Sequence, residues 1–137
     1  MSQMTAPEIK TYLKEARIAD LATLRSDGSP HIAPVWYQYR TGALYIMARQ
    51  DSVKVRNIRR DARVAVSIPK PDFPYQYVVI EGTATITDHE IAKMILEISI
   101  HYRGKENGEI FANELLSEGA MVVIEIAPTR TLTWDAD

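Results

Sequence analysis

Residues 77–87 constrain the fold more than any other stretch of the chain. Val78, Ile80, Gly82, Ala84 and Ile86 alternate with Tyr77, Val79, Glu81, Thr83, Thr85 and Thr87. A period of two puts the small and apolar set on one face of a strand and the threonine-rich set on the other. That is the pattern of a strand with one face buried, and a helix would scatter both sets around its circumference. A strand this long needs neighbours, so the remainder of the chain must supply them.

The neighbours are legible. Residues 18–25 are short, apolar and strand-like, and Asp27-Gly28 after them is a hairpin signal. Residues 31–39 read as the next strand, ended by Thr41-Gly42, and residues 43–48 as a third. Arg63 to Ile68 reads as a fourth, followed by a stiff loop marked by Pro69, Pro71 and Pro74. Residues 120–127 and 129–135 read as two closing strands separated by Pro128.

Helical spacing is confined to a few places. Thr5-Ala6-Pro7-Glu8 has the form of a capping box, and Ile9, Tyr12, Leu13 and Ala16 follow at helical intervals. Asp51 or Ser52 can cap a short helix running to about Arg60. Asp88 is the expected cap of a longer helix, with Ile91, Ile95, Ile98 and Tyr102 on one side and Gly104 as its stop. A helical turn is expected near 110–117. Tight turns pair successive strands antiparallel, and a sheet with so little helix cover is best closed toward a barrel. The expected fold is mainly β: a six-to-seven-stranded antiparallel split β-barrel with a few peripheral helices, forming one domain over residues 1–137.

Several functions are excluded on simpler grounds. There is no cysteine, so disulfides, thiolate nucleophiles and thiolate-bound metals are out. No apolar run approaches the roughly 18 residues of a membrane span, and Met1-Ser2-Gln3-Met4-Thr5 lacks the layout of a signal peptide. A cytoplasmic location is the expectation by elimination. Nucleotide signatures such as G-x-G-x-x-G and G-x-x-x-x-G-K-[ST] are missing, as is a G-x-S-x-G nucleophile elbow. His31, His89 and His101 lie on different elements without metal-ligand spacing, so no metal is expected.

Charge singles out one segment. Arg49, Lys54, Arg56, Arg59, Arg60 and Arg63 share the stretch 49–63 with Asp51 and Asp61, a local balance of +4 that leaves the rest of a chain of net charge −2 at −6. A basic segment on an acidic protein suits one anionic ligand and not a nucleic-acid surface. Met47-Ala48-Arg49 ends a strand and Ser52 opens a helix, whose free N–H groups and dipole attract a phosphate. Ser52 offers a hydroxyl, Lys54 a formal charge, Asn57 lies one turn further on, and Arg49 can close over the same anion. The plainer alternative is that an arginine-rich helix is a solvated face.

The second segment is Ala33-Pro34-Val35-Trp36-Tyr37-Gln38-Tyr39. A flat ring needs an apolar slot with a few backbone hydrogen bonds at its polar edge. An aromatic strand with free edge N–H groups supplies both, and Pro34 is tolerated at such an edge. Packing of the core or of a dimer would explain the same aromatics.

In order along the chain, these segments resemble the pyridoxamine-5′-phosphate-oxidase-like split-barrel family. The resemblance rests on Ala22 to His31, Pro34-Val35-Trp36, Asp51 to Val64, Val79 to Ala84, and Pro128 to Asp135. It implies a homodimer with two cofactor sites at the subunit interface, an isoalloxazine-like ring against Pro34, Val35 and Trp36, and a phosphate at Arg49, Ser52, Lys54 and Asn57, next to Met47 and Ala48. It also implies that Tyr75, Gln76, Tyr77 and Trp134 lie near the ring, some from the partner subunit. Pro74-Tyr75-Gln76-Tyr77 before Glu81-Gly82, and His101-Tyr102-Arg103-Gly104, look like the subgroup using the deazaflavin coenzyme F420, with FMN as the alternative. Where the family often has Asp-Pro-Arg, this chain has Asp61-Ala62-Arg63, a change expected to affect the turn alone.

The implied activity is that of an F420-dependent or FMN-dependent oxidoreductase passing a hydride to an electron-poor small molecule. Tyr37, Tyr75, Tyr77 and His31 are candidate proton donors, and no catalytic residue stands out. A non-catalytic module that sequesters a flavin, haem or tetrapyrrole is the competing reading. Pyridoxamine-phosphate oxidase itself is disfavoured, because the chain is short and shows no extra segment for a substrate phosphate.

Overall fold

A computed structural model describes residues 3–136. Its elements run α1 (Ala6–Leu13), β1 (Ala19–Leu24), β2 (Pro30–Val35), β3 (Tyr37–Arg40), β4 (Ala43–Arg49), α2 (Val53–Arg60), β5 (Arg63–Pro69), β6 (Gln76–Thr87), α3 (Ile91–Arg103), α4 (Lys105–Glu118) and β7 (Met121–Asp135). The seven strands form one antiparallel sheet in the order β2-β1-β5-β6-β7-β4-β3. The sheet curls into a split barrel, as the alternation of the strands predicts. Its two ends, β2 and β3, are joined through Trp36 without pairing to each other, so the barrel is split and not sealed.

The alternation of residues 77–87 is realised as expected. Val78, Ile80, Gly82 and Ala84 are buried, while Glu81, Thr83 and Thr85 are exposed. The core gathers inward-facing side chains from every strand, among them Leu21, Ile46, Val66, Ile80 and Ile124, with Val55 and Ile58 of α2 as a plug at one end. The capping box of α1 is complete: Glu8 N–H donates to Thr5 Oγ1 at 3.3 Å and Thr5 N–H donates to Glu8 Oε1 at 2.8 Å. Thr41 and Gly42 both adopt positive φ, 48° and 80°, in a two-residue turn that matches the twist of β3 and β4.

Four local expectations need correction. The stretch 31–39 is two strands, broken at Trp36. Asp88 does not cap α3, which begins after Glu90 in a left-handed conformation and has no side-chain cap. The turn expected near 110–117 is part of a fourteen-residue helix, α4. Residues 121–135 form one strand through Pro128, not two. β4 pairs with β7 only up to Ile126, so Pro128 lies where that side of β7 is open. A bulge opposite Glu81 and Gly82 leaves Thr129 outside the register and absorbs the irregularity.

The departure at Asp61-Ala62-Arg63 is also resolved. Asp61 accepts from Arg63 N–H and Nε–H at 3.1 Å each and from Nη2 at 2.8 Å. These bonds draw its carboxyl down to about 2 and hold the turn by a side chain where a proline would hold it by its ring.

Candidate functional site

β4 sets up the site through its two faces. Leu44, Ile46 and Ala48 point into the barrel core. Tyr45, Met47 and Arg49 point outward, and there α3 and α4 cover them in part: Tyr45 packs with Met94 and Ile91 of α3. Met47 is left at the floor of an open cleft of about 390 Å³, lined by Ile18, Pro34, Val35, Trp36, Met47, Lys54 and Phe111. Five residues singled out in the sequence therefore meet in one place, from β2, the Trp36 break, β4 and α2.

The break at Trp36 is built from outside the strand. Tyr37 N–H, which would otherwise belong to the ladder, donates to Tyr102 Oη at 3.1 Å, and Tyr102 donates in turn to the Arg17 carbonyl at 2.7 Å. The Tyr102 ring lies flat on Trp36, with centroids 4.9 Å apart and planes 5° off parallel. Burial pushes the Tyr102 hydroxyl up to about 12, so it stays protonated and both bonds hold at neutral pH. Phe111 of α4 packs on the indole at 5.4 Å, and Arg103 lies over the Phe111 ring at 4.9 Å. Tyr102→Phe keeps the stack but removes both hydrogen bonds. The expected cost is about 1–2 kcal/mol of stability, read as a lower urea midpoint at unchanged m.

Lys54 has the most informative surroundings. It sits in the first turn of α2, half-buried at the edge of the apolar cleft. Among the described residues it makes no hydrogen bond or ion pair. Loss of hydration pulls its ammonium below the ordinary lysine value. Ser52 occupies the cap position of α2 but does not cap it; its hydroxyl donates to the Arg49 carbonyl at 2.8 Å. The first turn thus keeps its free N–H groups beside an unpaired cation.

Several other residues of the same segment have partners. Asn57 is buried, donates from Nδ2 to Thr23 Oγ1 at 3.0 Å and accepts from Arg60 Nη2 at 2.8 Å, which ties α2 to β1. Arg60 also donates to the Leu24 carbonyl, and Arg56 to the Asp51 carbonyl. Arg56 and Arg60 lie on the exposed side of α2, as the plainer reading of an arginine-rich helix has it. Arg49 is exposed and paired with Glu118 of α4 at 2.9 Å.

Tyr75, Gln76, Tyr77 and Trp134 do not enter this cleft within one chain. Tyr77 pairs with Trp134 and Gln76 with Asp135 across β6 and β7, and Tyr75 packs edge-on against Tyr77 at 5.9 Å. Gln76 lines a separate cleft of about 420 Å³ under α1, whose walls carry Glu8, Glu15, Arg17 and Lys70. That cleft is larger, but its charged walls offer no slot for a flat apolar ring. Of the candidate proton donors, His31 stands on β2 opposite Thr23, and Tyr37 is 1% exposed with its hydroxyl donated to the Glu15 carbonyl. Ile18, Phe111 and Glu118 were not legible as site residues. With α4 read at its full length, Phe111 and Glu118 would have appeared seven residues apart on one helix face.

The family model for pyridoxamine 5′-phosphate oxidase matches residues 5–135. The chain belongs to that family. Among solved structures, members of its fold include the conserved hypothetical protein Rv2991 from Mycobacterium tuberculosis, 26% identical over 97% of this chain and 86% of that one, with a TM-score of 0.85. An F420 reductase is 24% identical over 89% of this chain and 94% of its own, with a TM-score of 0.73. HutZ, the haem storage protein from Vibrio cholerae, is 15% identical over 95% and 93% of the two chains, also with a TM-score of 0.73. In this family member no helix of the described residues is long and apolar enough to cross a membrane.

Proposed function

We propose that the cleft between β2, β4 and α2 binds a phosphate-bearing redox ring, the deazaflavin coenzyme F420 in first place and FMN as the alternative, and that the protein is an oxidoreductase acting on an electron-poor small molecule. The observation that carries this reading is Lys54: a half-buried cation at the edge of an apolar cleft, without a partner among the described residues. A desolvated, uncompensated charge is costly to maintain, and an anionic ligand is what would offset it. Pro34, Val35, Trp36 and Met47 form the apolar slot, and Lys54, the α2 N-terminus, Ser52 and Arg49 take the phosphate. When bound, the ring supplies the hydride.

The residues of this chain then bind, orient and exclude water. Pro34 and Val35 on the edge strand β2 and Trp36 after it leave backbone groups unpaired toward the open side, suited to the polar rim of a flat ring. Tyr102 and Phe111 fix the indole, so the slot is formed before the ligand arrives. Apart from Lys54, the cleft walls carry no ionisable side chain, which fits chemistry supplied by the ligand. It equally fits a module that holds a flavin or tetrapyrrole without turnover. Tyr75, Gln76, Tyr77 and Trp134 would approach the ring from a second copy of the chain, so a homodimer with shared sites is part of the proposal.

Titration of the purified protein with FMN and with F420, followed by absorbance, tests the reading. Micromolar or tighter binding of F420, with FMN weaker, is the expected result. Binding of neither would remove the cofactor assignment. Rapid oxidation of the reduced bound ring by quinones or nitroaromatics separates an enzyme from a storage module.

A further inference from the structure

Glu118 is an acid placed at an anion site. It ends α4, two turns beyond Phe111, and its Oε2 lies 2.9 Å from Arg49 Nη1. Arg49 lies two residues beyond the cleft-lining Met47 on the same outward face of β4, so the ion pair stands next along that face from the cleft that Lys54 borders. Every anion that recruits Arg49 must displace Glu118 or sit against its negative charge. The cost of that encounter scales with the charge the ligand brings. A phosphomonoester carries nearly two negative charges at neutral pH, because its second proton is lost near pH 6. A phosphodiester has no second proton to lose and carries one.

We propose that Glu118 is a specificity-determining residue that biases the site toward a singly charged phosphodiester and against a doubly charged phosphomonoester. The inference rests on the cofactor reading above and deepens it. FMN ends in a monoester, whereas the phosphate of the deazaflavin coenzyme is a diester. At the level of the phosphate group alone, a carboxylate fixed beside Arg49 disfavours the monoester more than the diester. The pair is solvent-exposed, 48% for Arg49 and 57% for Glu118, so the bias is a matter of several-fold in affinity and not of orders of magnitude.

The test compares FMN with its methyl phosphodiester, which share ring and ribityl chain and differ in phosphate charge. Glu118→Gln removes the charge at an exposed position and leaves the fold in place. We expect the diester to bind about three-fold tighter to Glu118→Gln than to the wild type and FMN roughly ten-fold tighter, because repulsion doubles with ligand charge. The preference for the diester therefore falls about three-fold. In an Arg49→Gln background the same substitution should leave the preference within about 1.5-fold, because the Glu118 carboxylate is no longer held beside the phosphate by Arg49. Equal effects on both ligands, no effect on either, or a shift that persists without Arg49 would overturn the inference while leaving the cofactor reading intact. A wild type that binds neither these ligands nor F420 would overturn the cofactor reading itself, and this inference with it.

Discussion

Lys54→Met should weaken cofactor binding by about 10- to 100-fold while leaving the protein without cofactor at least as stable as the wild type. The first half follows from a charge-assisted hydrogen bond to phosphate, worth about 1.5–3 kcal/mol, at about 1.4 kcal/mol per factor of ten. The second half follows from the surroundings of the ammonium. Desolvation lowers its pKa, and no carboxylate among the described residues compensates. A basic group whose folded pKa lies below its unfolded value opposes folding at pH values where the unfolded group is charged, and the penalty fades as pH rises through that range. Methionine keeps the aliphatic stem over the cleft and removes the penalty. Isothermal titration and thermal melts together read both halves. A parallel loss of affinity and stability would mean that Lys54 holds the fold and does not hold a ligand.

Gly108→Ala should lower stability by about 3 kcal/mol, or about 10 °C in Tm for a chain of this size. Helix propensity alone predicts the opposite sign, because alanine is better than glycine in a helix by about 1 kcal/mol. Packing decides against it. A Cβ at residue 108 would stand 2.5 Å from Ile100 Cα, 2.6 Å from Ile100 N and 2.7 Å from the Ser99 carbonyl oxygen. All three are backbone atoms, so no side chain can rotate away, and α4 must move off α3. That movement would also shift Phe111 from Trp36 and Glu118 from Arg49, so the substitution should disturb cofactor affinity as well. Differential scanning calorimetry of the variant checks the first effect and flavin titration the second. An unchanged or raised Tm would show that the two helices do not meet at Gly108.

Residues acting locally were legible in the sequence. The capping box of α1, the two-residue turn at Thr41-Gly42 and the alternating faces of β6 depend on neighbours a few positions away, and the structure forms each of them. The strand-to-helix junction around Lys54 was legible for the same reason. Pro34, Val35, Trp36, Met47 and Lys54 do meet in one cleft. The barrel was legible because several strands with one apolar face leave few other ways to bury it.

What depended on distant partners was not legible. Pro128 marks a break locally, yet β7 runs through it, because β4 stops pairing at Ile126 and a bulge takes up Thr129. Gly104 and Gly108 argue against a long α4, yet close packing on α3 makes the second glycine a requirement. Trp36 reads as mid-strand, yet the hydroxyl of Tyr102, sixty-five positions from Tyr37, takes the Tyr37 N–H and breaks the strand there.

The same division holds within the basic segment. By itself the sequence determined that a cluster of cations would gather where β4 gives way to α2, because strand period, helix start and residue types are local properties. Only the tertiary structure decided what each cation does. Arg60 found the Leu24 carbonyl at the end of β1, and Arg49 found Glu118 at the end of α4. Lys54 was left half-buried with no partner among the described residues, because the elements that closed around it brought apolar side chains and no carboxylate. Burial and pairing depend on which distant segments arrive, and that information resides in the packing of the whole chain.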